Sequence, residues 1–165
     1  MKVLLSIKPE YAEKIFSGEK KYEFRKQKPK FVIDIVFVYE SSPTRSIVGG
    51  FSVKIIHSGP PERIWQKCKE SSGIEKSDYL NYCNGTKVIH AFEIGETFKF
   101  ENPINPFKVI SDFKPPQSFS YFNGSPIFEI LENSQNCVVK SKDFYRKFGD
   151  KRILNSISLD QYSST

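Results

Sequence analysis

A lysine, a glutamate and an arginine follow a glycine within eight residues, as Gly18, Lys20, Glu23 and Arg25. The lysine ammonium can hold a phosphate or polarise a carbonyl, and as a neutral amine it can act as a base or nucleophile once its pKa is strongly lowered. The carboxylate can accept hydrogen bonds from the amino group of a base, and the guanidinium can grip a phosphate or stack on a base. These residue types predict nucleotide recognition, with Lys20 and Glu23 as candidate catalytic residues. The alternative is a structural ion pair between Glu23 and Arg25.

Six of the eleven residues at positions 20–30 are basic, with Tyr22 and Phe24 between them. Cationic side chains attract phosphates and exposed rings stack on bases, so this stretch predicts contacts with a nucleic-acid backbone. The net charge of +6 is consistent with a polyanionic partner. The alternative is a solvated edge strand on which lysines discourage aggregation. The candidate backbone contacts are Lys21, Lys26, Lys28 and Lys30.

Four further residues are candidates for lining a ligand pocket. Ser41 and Ser42 lie at the predicted end of a strand, where their hydroxyls either cap the local turn or face the pocket. Gln117 can hydrogen-bond to the edge of a base, and the ring of Tyr39 can stack on one, although core packing explains an aromatic residue equally well. The predicted ligand-binding residues are Lys20, Glu23, Arg25, Tyr39, Ser41, Ser42 and Gln117.

The cysteines are widely spaced and form no CxxC pair, so neither a disulfide framework nor a standard zinc motif is predicted. Cys68 and Cys83 could meet His57 and His90 around a zinc ion. We favour the alternative that both cysteines act as small hydrophobic residues, because they occupy apolar positions of predicted helices. The sequence therefore predicts no metal and no other cofactor.

The periodicity of apolar residues predicts the elements that must position these side chains. A short buried strand at residues 4–7 precedes a helix that begins near Pro9 and ends at Gly18. Glu23 and Arg25 then share one face of a strand, because side chains two residues apart point the same way. Further strands are predicted at residues 31–39, 46–56, 87–100 and 107–110, with helices after Pro61 and at residues 77–83. This pattern predicts an α+β fold with a small mixed or mainly antiparallel β-barrel and inserted helices.

The composition excludes an intrinsically disordered chain, since 38% of the 165 residues are hydrophobic and 15% are aromatic. No apolar run approaches the roughly 18–20 residues that a membrane span requires, and the first apolar block is too short for a signal peptide. We therefore expect a cytoplasmic protein with no membrane partner. The sequence becomes polar towards its end, so we expect one domain at residues 1–125 and an extension at residues 126–165.

The spacing of Gly18, Lys20, Glu23 and Arg25 resembles the GxKxxExR motif of ASCH domains, a family of the PUA-like superfamily. Other segments resemble the family in the same order and bring the resemblance to residues 3–122. These are residues 5–12, 39–43 and 47–49, Ile64 with Trp65, Gly73 with Ile74, Tyr82, and residues 116–119. The resemblance implies a PUA-like barrel whose partner is RNA or a modified nucleotide.

The resemblance also implies alternative activities. A small bacterial branch of the family removes the acetyl group from N4-acetylcytidine with the motif lysine, and other members are reported as ribonucleases. In those amidohydrolases a threonine stands at the position of Glu23, and a separate acidic residue takes part, for which Glu62, Glu70 and Glu75 are candidates. A regulatory module, with residues 126–165 docking a protein partner, is a third alternative.

Overall fold

The computed structural model of the chain describes residues 1–121, Leu131 and residues 137–138. The described part contains both strands and helices, and two of the α-helices are inserted between the fourth and fifth strands. The strands are β1 (Lys2–Ile7), β2 (Tyr22–Arg25), β3 (Ile35–Glu40), β4 (Ser46–Gly59), β5 (Ile89–Ile104), β6 (Phe119–Tyr121) and β7 (Cys137–Val138). The α-helices are α1 (Pro9–Ser17), α2 (Pro61–Cys68) and α3 (Lys76–Cys83), with 3₁₀ turns at Lys69–Ser71 and Pro106–Lys108. Within these residues, no helix combines the length and the apolar character needed to cross a bilayer.

The strands form one mixed sheet in the order β2-β5-β4-β3-β1-β6, and β7 pairs with β5. β1 runs parallel to β3, whereas the other pairs are antiparallel. The guanidinium of Arg25 on β2 donates to the backbone carbonyls of Ser6 at 2.8 Å and Ser118 at 3.2 Å, which links one end of the sheet to the other. The predicted α+β fold, with a mixed barrel-like sheet and inserted helices, is confirmed.

Three apolar clusters hold the elements together. The first joins α1 to the sheet around Phe51 and Phe92, and the second lies around Phe37 on β3. The third packs α2 and α3 against β2 and β5 around Trp65. Each large side chain buried in this way contributes roughly 2 kcal/mol relative to exposure. Because α2 and α3 pack against β2, they are held near Lys20, which lies two residues before the start of that strand.

Two predicted strands differ from the structure. Residues 107–110 contain part of a 3₁₀ turn, because Pro106 begins that turn and the Asn105 side chain accepts a hydrogen bond from the Phe107 N–H at 3.0 Å. β3 begins at Ile35, because the Val32 carbonyl accepts a hydrogen bond from the Met1 amino group at 2.9 Å and no ladder forms there. The segment between β2 and β3 is therefore a loop.

The predicted extension at residues 126–165 lies outside the described residues except at Leu131 and residues 137–138. Leu131 is buried in the second apolar cluster. β7 pairs with β5 at Lys99 and Phe100. The boundary near residue 125 stays a prediction, although these residues contact the domain.

Candidate functional site

The site residues follow the end of α1, where the chain turns sharply at Gly18. Gly18 has φ +86°, a left-handed conformation that glycine adopts without a Cβ clash, and its N–H donates to the Ile15 carbonyl at 3.1 Å. The N–H of Lys20 donates to the Lys14 carbonyl at 2.9 Å, so the chain folds back along the last helical turn. Lys20 therefore enters the fold just before β2 begins.

Lys20 is a buried cation with several partners, and only 3% of the residue is exposed. Its Nζ donates to the Ser72 carbonyl at 2.9 Å and lies 3.6 Å from Glu23 Oε2. It also lies 4.8 Å from the ring centroid of Phe24 and 5.6 Å from that of Tyr11. Burial lowers the pKa of Lys20, and the attraction of the Glu23 carboxylate opposes that shift only in part.

The segment around Gly73 clamps Lys20 in place. Gly73 has φ +63°, and a Cβ at this position would lie 2.5 Å from Lys20 Cβ. The Gly73 carbonyl accepts a hydrogen bond from Lys14 Nζ at 3.2 Å, and the Ser71 carbonyl accepts one from the Lys21 N–H at 2.8 Å. Only glycine leaves enough room for the lysine stem.

Glu23 and Arg25 lie on the same face of β2 and are both buried. Glu23 Oε1 accepts a hydrogen bond from an Arg25 Nη at 2.9 Å, so the ion pair considered from the sequence is present. The same guanidinium binds the carbonyls that link the ends of the sheet. In the described part of the chain, Arg25 Nε and Ser6 Oγ are buried without a hydrogen-bond partner. The Glu23–Arg25 ion pair therefore stabilises the barrel. Next to it, Arg25 Nε and Ser6 Oγ can each still form a hydrogen bond.

The three charged side chains line one cavity of about 410 Å³. This volume falls within the range of ligand pockets in proteins, roughly 300–1,000 Å³. Its wall comes from the end of β1, the start of α1, β2 and one face of α3. The lining residues are Ser6, Ile7, Lys8, Glu10, Tyr11, Lys20, Glu23, Phe24, Arg25, Ile74, Asp78, Asn81 and Tyr82.

A sequence model of the ASCH domain matches residues 5–104, which contain the end of β1, the strands β2 to β5 and all of this cavity's lining residues. The chain belongs to the ASCH domain family. The family resemblance drawn from the motif at Gly18 is therefore confirmed, and the matched region contains the fold elements that position Lys20, Glu23 and Arg25.

Proteins of two bacteria are among the relatives of this ASCH domain. An ASCH domain-containing ribonuclease of Zymomonas mobilis is 26% identical over 125 residues, which span 72% of this chain and 82% of the relative. Two Ureaplasma parvum proteins, named ATP synthase subunit alpha and large ribosomal subunit protein uL22, are each 32% identical over 123 residues. The chain spans only 15% of the first of these two proteins and 38% of the second.

A crystal structure of ASCH from Zymomonas mobilis superposes with a TM-score of 0.70 at 23% identity, covering 80% of this chain and 94% of that chain. A mutant form of the same protein superposes equally well, covering 97% of that chain at 22% identity. At this level of identity the likeness shows that the fold is shared.

The structure brings only three of the seven predicted ligand-binding residues to the cavity. Tyr39 packs into the second apolar cluster, 5.5 Å from the ring of Phe113. The Ser41 N–H donates to the carbonyl of the lining residue Ile7 at 3.0 Å, but Ser41 and Ser42 do not line the cavity. Gln117 is exposed elsewhere. Tyr39 was ambiguous from the sequence, because a ring serves a core and a pocket alike.

The cavity also has a wall that sequence reasoning missed. Asp78, Asn81 and Tyr82 lie on one face of α3, at the three- and four-residue spacing that places helical neighbours together. The sequence shows this spacing, but it does not show which part of the protein this face of α3 contacts. Asp78 and Glu10 are the acidic residues that join Glu23 at the cavity. The acidic candidates considered from the sequence, Glu62, Glu70 and Glu75, do not line it.

The four predicted backbone contacts, Lys21, Lys26, Lys28 and Lys30, are all exposed. Lys26 lies at the edge of the cavity, since its Nζ is 5.4 Å from the ring centroid of the lining residue Tyr82 and 3.4 Å from the Asn84 carbonyl. Lys28 lies close enough to His90 to help lower the pKa of that imidazole, an effect that burial dominates.

The histidines and two of the cysteines considered as a zinc site have other surroundings. His57 pairs with Glu93 at 2.8 Å, and His90 pairs with the Ser58 hydroxyl at 2.8 Å. Cys68 is buried in the third apolar cluster, and burial raises the pKa of its thiol to about 11. In the part of the chain that the structure describes, no three His, Cys, Asp or Glu side chains could hold a metal ion together.

Proposed function

We propose that this ASCH domain binds RNA and holds one of its nucleotides in the cavity beside Lys20, Glu23 and Arg25. The observation that carries the proposal is the convergence of these three buried charged side chains on one cavity with aromatic walls. Lys8, Lys20 and Arg25 are the cations of the lining, and Glu10, Glu23 and Asp78 are its anions, so the cavity has no net formal charge. A nucleotide fits this mixed lining, because its phosphate can pair with the cations while its base donates hydrogen bonds to the carboxylates.

The remaining walls supply contacts for a base and a sugar. The rings of Tyr11, Phe24 and Tyr82 line the cavity, and aromatic rings stack on unpaired bases. The Asn81 amide can both donate and accept hydrogen bonds at a base edge. Arg25 Nε and Ser6 Oγ, which are buried without a partner in the described structure, can bind polar atoms of the same nucleotide.

The relatives support an RNA partner in two ways. One is named a ribonuclease and is matched over 82% of its length. Another is named as a protein of the large ribosomal subunit, although only 38% of it is matched. RNA fits both names, and it also fits the exposed lysines that follow Arg25.

Fluorescence anisotropy with a labelled single-stranded RNA tests the proposal. Hydrogen bonds to charged groups contribute about 1.5–3 kcal/mol each, so Lys20→Ala with Arg25→Ala should weaken binding roughly a hundredfold or more. The matched control is Lys67→Ala with Lys108→Ala, which removes the same charge from exposed sites outside the cavity. Equal affinity of wild type and the cavity variant would reject the proposal.

Arg25 also links the two ends of the sheet, so its replacement can remove binding by misfolding the protein. A second variant distinguishes misfolding from the loss of a direct RNA contact. Tyr82 is 38% exposed, and its ring contacts the exposed side chain of Lys26. Tyr82→Ala should fold normally and still bind RNA roughly tenfold more weakly, as expected for the loss of one stacked base.

Hydrolysis of RNA or of a modified pyrimidine nucleoside is the second candidate function, favoured by the ribonuclease relative and by a buried lysine with a lowered pKa. In RNA cleavage, the 2′-oxygen would bond to phosphorus while its proton passes to the Glu23 or Asp78 carboxylate, and the Lys20 cation would stabilise the charge on the phosphoryl oxygens. The bond from phosphorus to the 5′-oxygen would break, and this leaving oxygen would take a proton from water, which gives a 2′,3′-cyclic phosphate and a 5′-hydroxyl. Mass spectrometry of RNA and N4-acetylcytidine after incubation tests both reactions. Turnover by wild type that is absent with Lys20→Ala would support this candidate, and no difference would reject it.

A further inference from the structure

The loop between β2 and β3 carries an exposed aromatic residue that the cavity does not use. Phe31 is 54% exposed and its neighbour Val32 is 82% exposed. The Phe31 ring is nonetheless held in place, because it packs edge-on against the ring of Tyr121 at 5.5 Å and 78°. The Tyr121 hydroxyl in turn accepts a hydrogen bond from the Lys30 N–H at 2.8 Å. The loop therefore presents a supported, solvent-facing ring.

Three exposed lysines lie along the chain between the cavity residue Arg25 and this ring. Lys26 lies over Tyr82 at the cavity wall, Lys28 lies near His90, and Lys30 directly precedes Phe31. Lys28 and Lys30 form no ion pair within the described residues, so their charges are not neutralised by a neighbouring carboxylate. Five residues lie between Arg25 and Phe31, and even a fully extended chain over these six steps spans at most about 22 Å. A short single strand can bridge that distance.

We propose that residues 26–32 form a second part of the RNA site, in which an unpaired base stacks on Phe31 while the intervening phosphates contact Lys26, Lys28 and Lys30. The inference rests on the proposed function, since the same strand must place a nucleotide in the cavity. It deepens that function by naming the ligand as a single-stranded RNA segment of several nucleotides, in place of a free nucleoside.

An anionic membrane surface is the other partner that lysines next to an exposed phenylalanine could attract. The structure favours RNA for two reasons. In the loop between β2 and β3, the exposed large apolar residues are Phe31 and Val32, and the Phe31 ring is held by Tyr121 as a flat platform. The basic path also leads directly to a cavity of nucleotide size, whereas a membrane would need a broader apolar face.

Anisotropy titrations with a mononucleotide and with a single-stranded RNA of about ten nucleotides separate the two parts of the site. Phe31→Ala should weaken binding of the oligomer roughly tenfold and leave mononucleotide binding unchanged, whereas Phe31→Trp should preserve both. Val109→Ala is the matched control, because Val109 is also an exposed apolar residue but lies outside the cavity and the loop.

The lysines are tested by the salt dependence of oligomer binding. Each single-strand phosphate contact contributes about 0.7 to the slope of log affinity against log salt. Lys28→Gln with Lys30→Gln should therefore reduce the slope by about 1.4. An unchanged slope would overturn the proposed path.

The outcomes distinguish this inference from the proposed function. Wild-type affinity of Phe31→Ala for the oligomer, together with loss of binding in the Lys20 and Arg25 variant, would overturn the inference and leave the cavity as the RNA site. Absence of oligomer binding by wild type would overturn both. Binding to phosphatidylserine vesicles that Phe31→Ala abolishes, with RNA binding unchanged, would overturn the inference in favour of a membrane partner.

Discussion

Lys20 is stabilised by neighbours that replace the water it has lost. A carbonyl, a carboxylate and two aromatic rings surround its ammonium group. Burial of a charge is costly unless such partners are present, so small displacements of this side chain should have large effects. The residue that most tightly limits its position is Gly73, which touches the lysine stem and not its charge.

Gly73→Ala should disturb the site without altering any charged group. The new Cβ would lie 2.5 Å from Lys20 Cβ, and φ is +63°, so we expect a loss of about 1–3 kcal/mol of unfolding free energy and weaker RNA binding. Urea unfolding and anisotropy measure the two effects. Gly85→Ala is the matched control, because its φ is +74° but no atom lies within 4 Å. Equal RNA affinity of the two variants would contradict the clamp.

Glu23→Gln should destabilise the protein by about 3 kcal/mol, the cost typical of breaking a buried ion pair on one side. The amide keeps the shape of the side chain but leaves Lys20 and Arg25 buried without a carboxylate. Thermal unfolding with added inorganic phosphate then provides a charge test. Phosphate should stabilise the variant more than wild type, and an equal shift would argue against an anion-accepting cavity.

His90 should make stability depend on pH. Its pKa is lowered from the ordinary value of 6.5, chiefly by burial and further by Lys28. The unfolded chain therefore takes up a proton first as pH falls below about 6.5, and the free energy of unfolding should decrease there. Urea unfolding between about pH 7 and 5 measures the slope. His90→Gln should flatten it, and an unchanged slope would assign the dependence to other groups.

The helix α3 has two faces with different roles. Tyr79 packs 4.9 Å from the rings of both Phe24 and Trp65, and its hydroxyl donates to the Pro61 carbonyl at 2.8 Å. Tyr82, three residues later, faces the cavity. One face therefore fastens the helix to β2 and α2, while the other completes the site.

Substitutions on the two faces of α3 should differ in their effects on stability and on RNA affinity. Tyr79→Ala should cost about 3–5 kcal/mol of stability, as for other large aromatic residues removed from a core. Tyr82→Ala should cost little stability but weaken RNA binding. Thermal unfolding and anisotropy of both variants provide the comparison. A Tyr82 variant as unstable as the Tyr79 variant would show that the two faces are not separate.

For the whole molecule, the distribution of charge matters more than its sum. The net charge of +6 is compatible with many partners, whereas four exposed lysines lie within and just after the segment that carries Lys20, Glu23 and Arg25. The lysines of this group are Lys21, Lys26, Lys28 and Lys30. The placement of these lysines therefore predicts where an RNA strand crosses the protein surface, which the net charge alone does not.

Replacing all four lysines by glutamine should lower the salt dependence of RNA affinity far more than an equal change of charge elsewhere. The control set consists of exposed lysines outside the cavity and the loop, namely Lys67, Lys69, Lys108 and Lys114. Each lost phosphate contact reduces the slope by about 0.7. Similar slopes for the two sets would mean that only the net charge attracts RNA.

The sequence by itself determined the features that depend on neighbours along the chain. Gly18 ends α1, Glu23 and Arg25 share a face of β2, and the motif and its ordered companions identify the family. These follow from backbone periodicity and from the conformational freedom of glycine, which act over a few residues. Tertiary structure decided which faces meet. Tyr39 packs in the core, and Gly73 packs against Lys20. Asp78 lines the cavity, whereas Glu62, Glu70 and Glu75 do not. Such contacts depend on packing between residues about 50 positions apart, which no local pattern specifies.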